Sequence, residues 1–263
     1  MPSPEGFIRN TLNLMGVNID ILDTTGLYHR IIAFVRDQKP HKVMYVNAHC
    51  MVVAQKDETY RKILNDADLV YADGMSLVWG ARLSGFDLPG RSTAADFFPR
   101  FCQLFAEKSL SIYLLGGQPC VAEAASDYLK EKNPRLEIVG THHGYFHSQE
   151  QAKIIESINR ASPHIVLVGM GVPYQERWIE EHCQKIRSPV IWGVGALFDF
   201  LAGRVPRGPQ WLLDSGFEWL CRLFAEPRRL WQRYLLGNLL FMWYILHWRF
   251  SSKEGNRIAH GGH

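Results

Sequence analysis

Six short, β-rich apolar runs constrain this chain more than any other feature: Val43 to Val46, Leu69 to Tyr71, Ile112 to Leu115, Ile138 to Val139, Ile165 to Val168 and Val190 to Val194. Between most of them lie helix-length segments such as Met51 to Asn65, Val121 to Lys132 and Gln149 to Ala161, whose apolar residues recur at three-to-four spacing. The alternation predicts an α/β fold, a Rossmann-like and mainly parallel sheet with helices on both faces. Four runs end in a turn of Gly, Asn or Asp, within YVNAH, VYADG, YLLGG and LVGMG. Ligands of open parallel sheets bind beyond the carboxyl ends of the strands, so these turns are candidate walls of one site.

After about Gly203 the alternation stops and the chain becomes rich in Arg, Trp and Leu. We therefore divide it into an α/β domain over 1–203 and a helical appendage over 204–263. A hydrophobic content of 47% over 263 residues is enough for a sizeable core. The formal charge of +3 is too weak a bias to indicate nucleic acid. Cys50, Cys102, Cys120, Cys183 and Cys221 stand singly without CxxC spacing, which suggests neither a zinc site nor a disulfide framework and fits a reducing cytoplasm. The N-terminal stretch shows no basic segment leading into a long apolar run, so no secretory signal is read there. Tyr234 to Trp248 is the one long apolar stretch, fifteen residues between Arg233 and Arg249. A membrane-spanning helix needs roughly 20, so this segment suits lying on a membrane rather than crossing it.

Several motifs carry candidate chemistry. In YLLGGQP, Gly116 and Gly117 stand between a strand and a helix expected from Pro119. Such glycines let backbone approach a phosphate and the helix N-terminus supplies donors. An ordinary strand-to-helix turn reads the same way, and without GxGxxG no dinucleotide fingerprint exists. Asp73 ends a buried strand, where a carboxylate is costly unless partnered or employed. It suits a general base for a sugar hydroxyl, or a plain Asp-Gly turn. Asp66 and Asp68 imitate a DxD metal signature but precede their strand, which favours a solvated helix end. His49, beside Asn47 at another strand end, is open to a catalytic or a hydrogen-bonded structural role. His142 and His143 lack further ligands and read as structural. In GMGVPYQERW, residues 169–178, Gly169 and Gly171 suit backbone N–H groups near a diphosphate. Gln175 is expected to face a sugar or acceptor and Glu176 to help cap the helix. In the tail, Arg222, Arg228, Arg229 and Arg233 lie among Trp211, Trp219, Trp231, Trp243 and Trp248, with a helix break expected at Pro227. Interleaved Arg and aromatic residues suit an anionic interface.

These blocks together resemble the WecG/TagA/CpsF glycosyltransferases, which add a sugar from a nucleotide donor to a lipid-linked precursor of surface polysaccharide or wall teichoic acid. The resemblance covers nearly the whole chain. NLMGVNID looks like the family's opening strand, NAHCMVVAQKDETYRKILNDADLVYADGMSLVWGARLSG like its first signature block, and GRSTAADF like its Arg-x-x-Gly-x-Asp segment. YLLGGQP, GTHHGYF, GMGVPYQERWI, GVGALFDFLAGRVPRGPQW and FEWLCRLFAEPRRLWQRY follow in the family's order. The chain departs from it at Tyr45, where some members have Thr, at Ala94, where many have Gly, and at RGP for Arg-Ala-Pro.

The resemblance implies an inverting transfer of a hexose (N-acetylmannosamine, its uronic acid, glucose or similar) from a UDP-sugar to an undecaprenyl-diphosphate-linked glycan, with no metal and no cofactor. It makes Asp73 the catalytic base and Gln175 a second catalytic residue. Asn47 and Arg91 become pocket residues, and Arg222, Arg229 and Arg233 part of an appendage that closes the site at the inner face of the cytoplasmic membrane. The protein is then cytoplasmic and peripheral to that membrane. A homo-oligomer stays open and a nucleic-acid partner is not expected. A non-catalytic nucleotide-binding scaffold of an envelope assembly complex is the alternative.

Overall fold

In the computed structural model of the chain, residues 9–90, 92–205, 208, 212, 218–225 and 227–259 are described, without the side chains of 218, 225, 229 and 251–259. The chain starts with a hairpin, β1 (Thr11–Leu14) and β2 (Val17–Asp20), paired antiparallel. The sequence reading takes this stretch as one strand. Met15 and Gly16 both adopt positive φ, 50° and 83°, which is the geometry that lets two residues reverse a twisted strand pair.

All six apolar runs then form one parallel sheet: β3 (His41–Val46), β4 (Leu69–Ala72), β5 (Ser111–Gly116), β6 (Glu137–His142), β7 (Ile165–Gly169) and β8 (Val190–Gly193), in the order β4-β3-β8-β7-β5-β6. Winding goes outward from β3 to β4, restarts at β5, goes outward to β6 and returns through β7 and β8. Strands β4, β5, β7 and β8 are buried along their whole length, as expected where helices cover both faces. β6 forms one edge and alternates between exposed and half-buried positions.

Helix α1 (Thr24–Asp37) precedes β3, and α2 (Ala48–Lys56) and α3 (Glu58–Asn65) follow it. The sequence reading has one helix from Met51 to Asn65. The break falls at Asp57, which is extended (φ −132°, ψ 99°) and caps α3 by accepting the Tyr60 N–H. Helices α4 (Met75–Leu83), α5 (Ala94–Glu107), α6 (Val121–Lys132), α7 (Gln151–Ala161), α8 (Tyr174–His182) and α9 (Leu197–Leu201) complete the α/β body. The α6 helix starts two residues after the expected Pro119, because Cys120 takes a left-handed conformation just before it. Trp192 and Gly193, adjacent on β8, point to opposite faces of the sheet. Trp192 stacks on Phe97 of α5, whereas Gly193 sits beneath Gln175 of α8.

From residue 218 the described chain is helical: α10 (Glu218–Ala225), α11 (Pro227–Trp231), a π-type turn (Gln232–Leu236) and α12 (Gly237–Ala259). Phe241 and Ile245 of α12 are buried against the body. A Cβ at Gly80 of α4 would fall 2.7 Å from the Phe241 ring, so only glycine lets the two helices meet this closely. The opposite face of α12 exposes Leu239, Met242, Trp243, Leu246 and Phe250. No helix among the described residues is long and apolar enough to cross a membrane.

Candidate active site

Beyond the carboxyl ends of the strands lies a cavity of about 730 Å³. Its β3–β4 half presents side chains. The N–H of Asp73 donates to Val46 O at 2.8 Å, carrying the β3–β4 pairing one residue past the strand. Asn47 caps α2, with extended backbone and Oδ1 accepting from the Cys50 N–H at 3.1 Å. That bond fixes the amide, so Nδ2 is turned toward Asp73 Oδ2, 3.5 Å away. Tyr45 and Tyr71 lie two residues earlier on each strand, hence on the same faces as Asn47 and Asp73. Their rings, 6.3 Å apart, line the cavity too. Burial pushes both phenols well above their ordinary value, so they stay protonated donors.

The β5–β7–β8 half presents backbone. A Cβ on Gly116 would lie 2.4 Å from Gly169 O, one on Gly169 2.8 Å from Gly195 O, and one on Gly195 2.4 Å from the Tyr45 hydroxyl. Gly117 N donates to Gly169 O at 2.9 Å, and Gly144 N to Gly117 O at 2.8 Å. These glycines let neighbouring turns nest on each other. Gly117 and Gly169 line the cavity, whereas Gly116 lies outside the lining. Gly171 differs from these: φ is +80° and nothing lies within 4 Å of where its Cβ would be.

Gln175 is placed differently from the sequence expectation that it faces a sugar or acceptor. Its side chain is fully buried behind the wall, Oε1 accepting from the Gly195 N–H at 2.9 Å and Nε2 donating to Glu176 Oε1 at 2.8 Å. Glu176 follows it in the first turn of α8, with its carboxyl beside its own backbone N–H. It is equally buried, and burial pushes its carboxyl up to about 7.

Arg222 and Arg233, from α10 and the π-type turn, line the same cavity. Arg222 lies over the Phe200 ring at 5.0 Å. Both Nε atoms are buried and meet no hydrogen-bond partner among the described residues. Both arginines, with Asn47, Asp73 and Thr93, also line a second chamber of about 100 Å³, whose other walls include His49, Trp219 and Tyr234. Burial, then the Arg233 charge, lower His49 to about 4, so it is neutral at ordinary pH. Arg91 and the Arg229 side chain lie outside the described residues, as does Trp211.

Residues to which sequence reasoning gave no site role complete the rim. The first turn of α5, Thr93 to Ala95, forms one wall, which brings the positive end of that helix to the cavity. Tyr145 and Tyr174 line the mouth and are 68% and 71% exposed. Asp199 and Arg204 lie on the far side, Arg204 Nη1 donating to Gln118 Oε1 at 3.1 Å. Asp199 and Arg204 belong to GVGALFDFLAGRVPRGPQW, where no spacing distinguishes them from surface charges. Asp68, of the DxD-like pair, is at the opposite edge of the sheet, where Oδ2 accepts from the Lys42 N–H at 2.8 Å. His142 Nδ1 lies 2.7 Å from His143 O. Among the described residues no three His, Cys, Asp or Glu side chains converge as a metal cage requires.

A family model described as "Glycosyl transferase WecG/TagA/CpsF family" matches residues 12–255. A Bacillus subtilis (strain 168) protein named N-acetylglucosaminyldiphosphoundecaprenol N-acetyl-beta-D-mannosaminyltransferase is 30% identical over 200 residues, covering 76% of this chain and 77% of its own. A protein of the same name from Bacillus spizizenii (strain ATCC 23059 / NRRL B-14472 / W23) is 26% identical over 238 residues, 89% and 91% of the two chains.

Proposed function

Since the chain belongs to the WecG/TagA/CpsF family and is a glycosyltransferase, we propose that it moves a hexose from a UDP-sugar to a glycan on undecaprenyl diphosphate. The transfer inverts the anomeric carbon and uses no metal. One observation carries this reading: Asp73 lines both chambers, so a carboxylate stands where a donor in the larger and an acceptor in the smaller would meet. The names of the relatives, which give N-acetylglucosaminyldiphosphoundecaprenol as acceptor, support the acceptor class.

In this reading Asp73 takes the proton of the acceptor hydroxyl as its oxygen attacks the anomeric carbon, and UDP leaves with the bonding pair. Asn47 Nδ2 orients the carboxylate. Negative charge grows on the departing diphosphate, where preorganised positive groups lower the barrier most. Arg222 and Arg233, whose buried Nε atoms meet no hydrogen-bond partner among the described residues, and the positive end of α5 supply that charge in place of a metal. Gly171 leaves room for the diphosphate, and Tyr145 and Tyr174 offer aromatic faces to a base.

The exposed stripe Leu239, Met242, Trp243, Leu246 and Phe250 rests on the inner face of the membrane, which brings the smaller chamber close to a lipid-borne acceptor. The residues from about 204 onward act as a unit that carries Arg222 and Arg233 to the site. The test is transfer from a panel of UDP-sugars to undecaprenyl-diphosphate-linked N-acetylglucosamine, read by mass spectrometry, with and without Asp73→Asn. Product from the wild type that disappears in the variant supports the reading. UDP binding without transfer from any donor returns the protein to the scaffold alternative.

A further inference from the structure

A fully buried glutamate behind the cavity wall is a costly residue that the proposed chemistry does not use. Glu176 follows Gln175 at the start of α8 and is 0% exposed. Its Oε1 accepts from Gln175 Nε2 at 2.8 Å, and Gln175 Oε1 in turn accepts from the Gly195 N–H at 2.9 Å. Glu176 Oε2 meets no hydrogen-bond partner among the described residues. Gly195 belongs to the cavity wall, at φ +59°, with the Tyr45 hydroxyl packed so closely that a Cβ would lie 2.4 Å from it. An amide that can swap its oxygen and nitrogen by rotation does not hold a backbone N–H alone. The acceptor offered by Glu176 fixes which end of Gln175 faces Gly195.

We propose that Glu176 is a positioning residue for donor binding: through the Gln175 amide it locks the Gly195 turn, and with it the Tyr45 side of the cavity, in the form that receives the nucleotide diphosphate. This rests on the UDP-sugar reading given above. The groups facing Glu176 are Tyr45 from β3, Cys50 from α2, Tyr60 from α3 and Arg233 from the π-type turn. Burial pushes Tyr45 and Tyr60 well above their ordinary value and Cys50 up to about 12. Around neutral pH the first three are therefore uncharged and Arg233 is a cation. Glu176, pushed up to about 7 mainly by burial, is the member that changes charge there. Ionised, it puts a negative charge behind the wall that receives an anion and competes with that anion for Arg233. Donor affinity therefore falls as pH rises through about 7.

UDP is the probe, titrated calorimetrically into the full-length protein between pH 6 and 8.5, alongside amide hydrogen exchange at Gly195. Glu176→Gln keeps an oxygen for Gln175 and cannot ionise, whereas Glu176→Leu removes the acceptor. The wild type should lose on the order of tenfold in UDP affinity across this range relative to Glu176→Gln, whose profile carries only the titration of UDP itself. Glu176→Leu should exchange the Gly195 amide about tenfold faster and bind UDP about tenfold more weakly, with Glu176→Gln close to wild type in exchange. If Glu176→Leu fails to fold, the pH profile of Glu176→Gln decides alone, and a profile that falls like the wild type's overturns the proposal. Unchanged UDP binding and Gly195 exchange in Glu176→Leu also overturn it while leaving the donor reading intact. No UDP binding by the wild type at any pH defeats the donor reading and this inference with it.

Discussion

The two halves of the cavity edge present different parts of the chain. The ends of β3 and β4 present side chains: Asn47, held by its helix cap, turns its amide toward Asp73, whose own N–H continues the strand pairing. The ends of β5, β7 and β8 present backbone, where glycine turns nest so tightly that added methyl groups would meet carbonyl oxygens. In the first half a carboxylate can become an amide of the same shape without overpacking. The second cannot gain an atom at Gly116, Gly169 or Gly195 without moving its neighbours. Substitutions should therefore separate: on one side turnover falls and stability holds, and on the other stability falls first.

Asp73→Asn should show the largest effect. Removing a general base costs on the order of 10²- to 10⁴-fold in turnover, with the melting temperature within a degree or two of wild type by calorimetry. Loss of stability in step with activity would erase the contrast between the halves. Gly116→Ala should do the reverse, because its methyl would lie 2.4 Å from Gly169 O at a positive φ. Overpacking and backbone strain together cost about 2–4 kcal/mol in denaturant unfolding. A stable, inactive Gly116→Ala protein would mean this glycine serves ligand contact after all.

Glu176→Gln sharpens the comparison through pH. The folded protein raises this carboxyl to about 7, above its value in the unfolded chain. It therefore favours folding only while protonated, and wild-type stability should fall from about pH 4.5 to 7 and then level off. Glu176→Gln lacks that fall. It should be more stable than wild type by up to about 3 kcal/mol at pH 8, with little difference below pH 4.5, as thermal melts across pH would show. Gly171→Ala is the smallest expected change. Its methyl would enter open space, so the cost is the positive φ alone, roughly 1 kcal/mol. Its UDP affinity, compared with its stability, measures how closely a diphosphate approaches this turn.

The sheet was legible because buried strands advertise themselves locally. Each of the six apolar runs is a strand, and the turn after β3, β4, β5 or β7 contributes at least one cavity residue. The break at Asp57 was harder to see, since a capping Asp inside a helical pattern looks like a solvated position until its neighbours are known. The α12 face that meets Gly80 and the one that stays exposed are both apolar in sequence, so periodicity does not tell them apart.

GMGVPYQERW shows where that boundary falls. Its sequence establishes a glycine turn that passes from a buried strand into a helix, because those backbone preferences act within a few residues. Whether Gln175 points into the cavity or behind it depends on Gly195, twenty residues further on. The same holds for Glu176, whose buried surroundings come from β3, α2, α3 and the segment around Arg233. Side-chain direction and the dielectric around a charge are properties of what the fold brings alongside, so only the tertiary structure shows Gln175 buried and bonded to the Gly195 N–H.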